Sequence, residues 1–501
     1  MPRRSGDTSN GRTMAGMNVI LFITDQDRAI QHFPGGWTKK NLPGLTRLQR
    51  HGLTFENAFT NSCMCSPARA TLMTGYFPAQ HGVKYTLELD MPADQYPQVE
   101  MPLDLANLAT VMSAAGYNVV YKGKWHLNKP ADGTTWVPSD VGQYGFTRWN
   151  PQDAGANQDI PEAGGGDPDN DGRFMHDDGD METGNEGVLA YLSSEAAQQQ
   201  PFFMVVSLVN PHDVLFYPKT YVDAGYDDSW LEGDIRLPAT VNEDLSTKPD
   251  AQESFLRLFA LTGALPTPEM KRNYLNFYGN LMKVVDGYLV DVLDALDASG
   301  LTENTVVIRT ADHGEMGMTH GGMRQKNFNF YEESLRVPMV FSNPRLYPRS
   351  KTSDALVSHV DFLPTLASLF GAPDDARGEW EGVDYAQAVL HPDAAKAPQD
   401  YVVFTFDDWQ AGQANPPYVP APNHIVSIRE RRWKLAEYFD ADGETRSQWE
   451  MYDLENDPLE RKNLCWDSHA RSPEEEHEFR RLKRKLRRVQ KTRLAPLEGD
   501  S

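Results

Sequence analysis

The segment NVILFITD, Asn18 to Asp25, sets the architecture. Its apolar residues run on without polar alternation, as a strand covered on both faces requires, and it delivers a carboxylate at its C-terminal end. Working outward, PGLTRLQR (43–50) reads as a short helix stopped at Gly52, and LTFENAF (53–59) as a strand. Leu103 to Ala115 reads as a helix ended by Gly116, followed by the strand YNVVY (117–121). FFMVVSLV (202–209) predicts another buried strand. The amphipathic stretch Met270 to Leu296 precedes NTVVIRTAD (304–312), an apolar run that again ends in an acid. Helix and strand alternating at this spacing predict an α/β fold with a doubly wound, mostly parallel sheet. Ligands of such sheets bind beyond the carboxyl ends of the strands, which puts Asp25 and Asp312 on one rim.

Composition narrows the class. The 501 residues carry 48 Lys plus Arg against 71 Asp plus Glu, a formal charge of −23. That balance argues against nucleic acid as a partner, because phosphate backbones need a positive surface. Hydrophobic residues at 40% and aromatics at 10% suffice for a large core, so global disorder is ruled out. Three cysteines exclude a disulfide scaffold. No apolar run reaches the ~18 residues of a membrane span. Residues 1–16 read as a disordered leader with no apolar stretch of a secretory signal, so a soluble, cytoplasmic protein with no membrane partner is expected. A catalytic domain is expected over 17–380. A smaller antiparallel-sheet subdomain should occupy 381–478, built on YVVFTF (401–406), IVSIRE (425–430) and WKLAEYF (433–439). In the tail, 479–501, nine basic residues lie between Arg480 and Arg493. Phe479, Leu482, Leu486 and Val489 form one helical stripe there, expected to pack on this acidic body or on a second subunit; the oligomeric state stays open.

Two further features invite functional readings. The polar stretch Asn150 to Thr183 reads as a long loop, and Asp167 to Gly172 (DPDNDG) resembles the opening of an EF-hand calcium loop. Its twelfth position is Asp178 rather than Glu and its flanks are Gly-rich, so a solvated acidic loop is expected. Tyr76, Tyr85, Trp149, His176 and Trp409 are candidate pocket aromatics, while His81 and His320 read as satisfied structural histidines.

The chemistry is carried by NSCMCSPARATLMTGYFPAQHGV, Asn61 to Val83. Taken alone, Cys65 reads equally well as a buried free thiol. Its setting, Cys65-Ser66-Pro67-Ala68-Arg69 followed by LMTG, resembles the signature of the type I sulfatases of the alkaline phosphatase superfamily. Asp25-Gln26, Lys124-Trp125-His126, His212 within NPHD, Asp312-His313-Gly314-Glu315 and Lys326 follow in that family's order. WEMYDLENDPLERKNL (449–464) resembles its usual ending. The resemblance covers most of 17–370.

It implies that a formylglycine-generating enzyme, a maturation partner, oxidises Cys65 to Cα-formylglycine. The hydrate of that aldehyde is both metal ligand and nucleophile, and its second hydroxyl gives the sulfated diol an exit that serine would lack. The resemblance further implies one divalent cation on Asp25, Gln26, Cys65, Asp312 and His313. Arg69 and Lys124 would hold the diol and the metal-side oxygens, His126 would act as base, and His212 and Lys326 would face sulfate and leaving group. A hard cation suits oxygen ligands, hence Ca²⁺; an imidazole at His313 keeps Mn²⁺ in play. Asp312-His313 resembles the choline sulfatase and phosphonate monoester hydrolase branch. The expected activity is therefore hydrolysis of a small alkyl or aryl sulfate ester. A phosphonate monoester or phosphodiester hydrolase using the same residues is the alternative, and a silent metal-binding homologue the third reading.

Overall fold

The computed structural model describes residues 14–88, 91, 94–154, 171–176 and 186–497. The segment that opens the reading is β1 (Asn18–Thr24), buried along its whole length. Its alternate residues serve two cores. Val19, Leu21 and Ile23 pack with Leu108, Val111 and Met112 of the helix Leu108–Ala114 and with Leu363 and Leu366 of the helix Phe362–Phe370. Ile20 and Phe22 face the other way, onto Val285, Leu289 and Val292 of the 31-residue helix Pro268–Ala298. Helices on both faces explain why the strand lacks polar alternation. Each such side chain stabilises the fold by about 1.5–3 kcal/mol through burial.

β2 (Gly52–Phe59), β4 (Asn118–Gly123), β5 (Phe202–Leu208), β6 (Thr305–Ala311), β7 (Met339–Ser342) and β8 (Lys351–Ser358) complete a seven-stranded sheet of order β4-β5-β1-β6-β7-β2-β8. The four strands β4, β5, β1 and β6 are parallel, with Val19 opposite Phe203 and Val306. Only β7 runs against its neighbours, β6 and β2. The sheet is thus mostly parallel and doubly wound.

A second sheet has the order β12-β11-β10-β9-β3. Tyr401–Phe406 (β9), His424–Glu430 (β10), Trp433–Phe439 (β11) and Gln448–Asp453 (β12) run antiparallel in succession. Its last strand comes from elsewhere in the chain. β3 (Ser62–Cys63) pairs parallel with β9, so the segment holding Cys65 is stitched to the C-terminal sheet.

Boundaries shift where a cap overrides composition. The helix expected from Leu103 begins at Leu108, because Asn107 accepts from the backbone N–H of Ala109 and Thr110 and fixes the start. The tail helix spans Pro473–Lys491 and starts earlier than its basic stripe, at a capping box between Ser472 and Glu475. Leu482, Leu486 and Val489 bury against Ile428, Leu435 and Met451 of the second sheet. Arg481 and Lys485 both pair with Glu430. The tail therefore packs on its own acidic body. Among the described residues no helix is long and apolar enough to cross a membrane.

Of the EF-hand-like segment, residues 167–170 and 177–178 lie outside the described residues. Asp171 accepts from the N–H of Val209 at 2.7 Å and of Asn210 at 3.0 Å. Its carboxylate thus fixes the chain leaving β5.

Candidate functional site

Four adjacent parallel strands deliver one polar cluster to their carboxyl rim. Lys124 and His126 follow β4, His212 follows β5, Asp25 follows β1, and Asp312 with His313 follows β6. Cys65 reaches the same point from the side, as the first residue of the buried helix Cys65–Thr74. The carboxylates, Cys65 Sγ and the His313 ring place ligand atoms within 4.8 Å of one another.

Charge is apportioned oxygen by oxygen. Arg69 donates through Nε to Asp312 Oδ2 at 3.0 Å and through Nη2 to Asp25 Oδ2 at 3.4 Å. Lys124 Nζ donates to the same Asp25 oxygen at 2.5 Å. The two Oδ1 atoms lie on the other side, each 3.7 Å from His313 Nε2. His313 Nε2 is 3.1 Å from Cys65 Sγ, which is 3.7 Å from Asp25 Oδ1. Burial alone would raise the Asp25 pKa. The charges of Lys124, foremost, and Arg69 outweigh it and hold the carboxyl well below the usual range. Burial drives the His313 pKa down, so its imidazole is neutral and its lone pair available. Two carboxylates, a neutral imidazole and a position-65 side chain therefore fit a divalent cation.

Cys65 as a thiol is a poor nucleophile here. Burial, helped by Asp25, pushes its pKa up to about 11. A thiolate would be scarce at neutral pH. Free thiol chemistry does not suit this position; an oxygen nucleophile made from it would.

The histidines are set by their partners. His126 Nε2 lies 2.6 Å from the carbonyl of Leu87, so that nitrogen carries the proton. Its Nδ1 is buried without a hydrogen-bond partner. Burial, reinforced by Lys124, holds this ring neutral. His212 Nδ1 is likewise unpartnered, and burial lowers its pKa well below the ordinary value. Lys326 Nζ donates to Gln26 Oε1 at 2.8 Å. Cys65, His126, His212 and Lys326 line one cavity of about 340 Å³.

Gln26 adjoins the four clustered donor residues, its backbone N–H donating to Asp312 Oδ1 at 3.1 Å. Its amide is spent on Lys326 and, through Nε2, on Glu315 at 2.5 Å. The expected pocket aromatics are a correction. Tyr76, Tyr85, Trp149, His176 and Trp409 do not line this cavity; Phe255 and Phe259 do. Trp149 is in the core, bonded to the Gly123 carbonyl, and His176 lies edge-on to Tyr288. Trp409 packs edge-on against Tyr418. His81 is structural, bonded to Thr71 and to the N–H of Val83.

Sequence reasoning missed the residues that hold this corner. Asp153 accepts from the backbone N–H of Trp125 and of His126, both at 2.7 Å, and fixes His126 at φ 60°. Ser207, on β5, bonds Arg69 Nη1 at 2.7 Å. Glu315 takes the Gln26 amide, the Tyr274 hydroxyl and the N–H of Gln325. Gly314 is demanded by packing: a Cβ there would lie 1.9 Å from the Glu333 carbonyl oxygen. Of these, only Gly314 and Glu315 stand inside a motif quoted from the sequence, Asp312-His313-Gly314-Glu315, where neither was given a role.

Comparison with known proteins gives the family. The family profile described as Sulfatase matches residues 17–372, and one described as N-sulphoglucosamine sulphohydrolase, C-terminal, matches 320–492. A Delta 4,5-hexuronate-2-O-sulfatase of Bacteroides thetaiotaomicron is 28% identical over 461 residues, covering 89% of this chain and 84% of its own. Among solved structures, a 2-O GAG sulfatase superposes with TM-score 0.69 at 22% identity, covering 95% of this chain and 92% of that one. The phosphonate monoester hydrolase of Agrobacterium radiobacter superposes with TM-score 0.65 at 21% identity, covering 95% and 96%. Over more than two thirds of its length, then, the chain matches one family, and it belongs to the sulfatases, which hydrolyse sulfuric esters.

Proposed function

We propose that this sulfatase cleaves a small alkyl or aryl sulfate ester, with Cys65 in its formylglycine form and one divalent cation held by Asp25, Asp312, His313 and position 65. The observation that carries this reading is the converging donor set, whose Oδ1 atoms face inward while Arg69 and Lys124 occupy the Oδ2 side. The cation, Ca²⁺ or Mn²⁺, would supply charge neutralisation, and the hydrated aldehyde an oxygen nucleophile. A formylglycine-generating enzyme is the maturation partner this requires.

The chain's own residues supply the rest. Arg69 and Lys124 fix both carboxylates in place through their Oδ2 atoms and keep Asp25 ionised. Lys326 offers positive charge to a sulfate oxygen, and Gln26 orients Lys326. His212 faces the cavity as a neutral imidazole and would attend the leaving-group oxygen as that bond breaks. His126 presents an unprotonated Nδ1 to the cavity, because Leu87 holds the proton on Nε2. That lone pair would accept the proton released as the nucleophile is regenerated. The balance is one ester and one water in, one alcohol and one hydrogen sulfate out.

Two measurements test this. Conversion of Cys65 to formylglycine lowers the mass of its peptide by about 18 Da. Protein from a host with the generating enzyme should show that loss and hydrolyse an aryl sulfate, with activity abolished by chelator and restored by Ca²⁺ or Mn²⁺. An intact thiol in protein from its native host would sink the reading. His313 within reach of position 65 keeps a phosphonate monoesterase as the second reading. A large preference for an aryl phosphonate monoester over the matched sulfate would select it.

A further inference from the structure

The cavity above Cys65 has two unlike walls. One is polar, made by Cys65, His126, His212 and Lys326. The other is apolar, made by Leu215, Phe255, Leu258, Phe259 and Leu261. Four of those five residues come from the helix Asp250–Phe259 and the turn that follows it. The helix spends its charges elsewhere, pairing Arg257 with Glu253 at 2.6 Å on its exposed face. Phe255 anchors it inward, against Phe328 at 5.3 Å between ring centroids. Leu258 and Phe259 stay half-buried at the cavity, and Leu261 is 63% exposed at its mouth. Apolar side chains left accessible beside a polar reaction centre mark a surface that a ligand covers.

The charges in this cavity are equally one-sided. Among the described lining residues Lys326 is the sole Lys or Arg, and it lies at the polar wall. Arg324 lies over the Phe259 ring at 4.5 Å, but its guanidinium is turned to the carbonyls of Gly263, Phe259 and Tyr217. The other charged residue lining the cavity is an acid, Glu88. Among the described lining residues, a leaving group bearing a carboxylate would meet an apolar wall and an acid, with no cation besides Lys326 at the polar wall. Taking a carboxylate out of water without a partner is costly. At about 340 Å³ the cavity is also near the small end of ligand sites.

We propose that the leaving-group side of this site selects an uncharged, apolar alcohol of one or two rings over an acidic sugar. The proposal rests on the sulfatase reading of the polar wall and goes beyond it by assigning the other.

The test uses the full-length enzyme with Cys65 conversion verified by mass. Three substrates separate apolar area from charge: phenyl sulfate, 2-naphthyl sulfate, and 2-naphthyl sulfate with a carboxylate on its distal ring. A 2-O-sulfated unsaturated hexuronate is the acidic-sugar comparison. The naphthyl ester should exceed the phenyl ester in kcat/KM by roughly 10-fold or more, and the added carboxylate should cost at least that much. Phe259→Ser and Leu261→Ser should erase the naphthyl advantage through KM, lowering kcat/KM for 2-naphthyl sulfate more than for phenyl sulfate. Preference for the hexuronate or the carboxylated ester overturns the proposal, as does an unchanged naphthyl-to-phenyl ratio in both variants. Product binding separates the two levels of inference. If converted enzyme hydrolyses no sulfate, the sulfatase reading fails, but 2-naphthol should still raise the thermal midpoint in the wild type and not in Leu261→Ser. Equal stabilisation of wild type and variant would overturn the assignment of the apolar wall by itself.

Discussion

Two buried clusters in this protein each combine a histidine with carboxylates, and they are built to opposite ends. In the first, Asp25, Asp312 and His313 gather around Cys65, which lines the cavity. In the second, His320, Glu333 and Glu460 bring their ligand atoms within the same 4.8 Å. Composition would not tell them apart; the placement of cations does. At the first, Arg69 and Lys124 sit behind the carboxylates, and burial leaves His313 neutral. At the second, the acids surround the histidine. His320 Nδ1 lies 2.9 Å from Glu243, its Nε2 faces Glu333 at 3.8 Å, and its ring stacks on Tyr331 at 3.6 Å. Burial opposes the charge, but Glu243 and Glu333 raise its pKa to about 9. Around it Lys434 pairs with Glu332 and Glu460, and Arg429 with Glu332, tying the second sheet to the loop after β6. One cluster is charged to receive a ligand, the other to close on itself.

That contrast breaks first at the cluster around Cys65. Asp312→Asn should cut kcat by roughly 10³-fold and lower bound metal, read by elemental analysis, while circular dichroism stays native. Glu332→Gln should do the reverse. It strands Arg429 in the interior, while Lys434 keeps Glu460, and should cost about 3–5 kcal/mol of stability in denaturant titration, with kcat of the folded fraction unchanged.

His320→Gln sharpens the contrast through pH. A histidine raised from 6.5 to about 9 contributes stability that is complete below pH 6.5 and is lost as pH rises through 9. Glu460, raised by burial to about 7, acts in the same direction at lower pH, between its ordinary 4.5 and 7. Unfolding free energy of the wild type should therefore fall between pH 6.5 and 9 by on the order of 3 kcal/mol from His320, and the variant should be flatter across that window. The smallest effect belongs to Asp153→Asn. It loosens the backbone of His126 without removing the ring and should lower kcat about 10-fold, with stability nearly intact.

What could be read from sequence divides along the same line. The strands β1, β5 and β6 were legible because both their faces are buried, and such burial writes an unbroken apolar run. The residues of the first cluster were legible because each belongs to a motif at a strand end. β3 was not, because two residues paired to a strand some 340 positions later leave no periodicity. β12 was read only as part of a familiar ending. Asp153, Asp171 and Ser207 were invisible as positioning groups, since they act on backbone or side chains far along the chain. The apolar wall was missed for another reason. Aromatics near the motifs drew attention, whereas Phe255 and Phe259 belong to a helix whose inward face looks, in sequence, like any other core-facing stripe.

The pairing of β3 with β9 also sets a schedule. Cys65 is 2% exposed, in a helix whose every residue is buried, and Asn61 is tied to the carbonyl of Val403. Any enzyme that modifies Cys65 must reach it before that closure. Phe406, the end of β9, leaves the ribosome 341 residues after Cys65. At roughly 5–20 residues per second that interval lasts about 17–70 s. The fold would thus give the formylglycine conversion proposed above a window timed by synthesis itself, and a chain that closed without it would keep its thiol sealed inside.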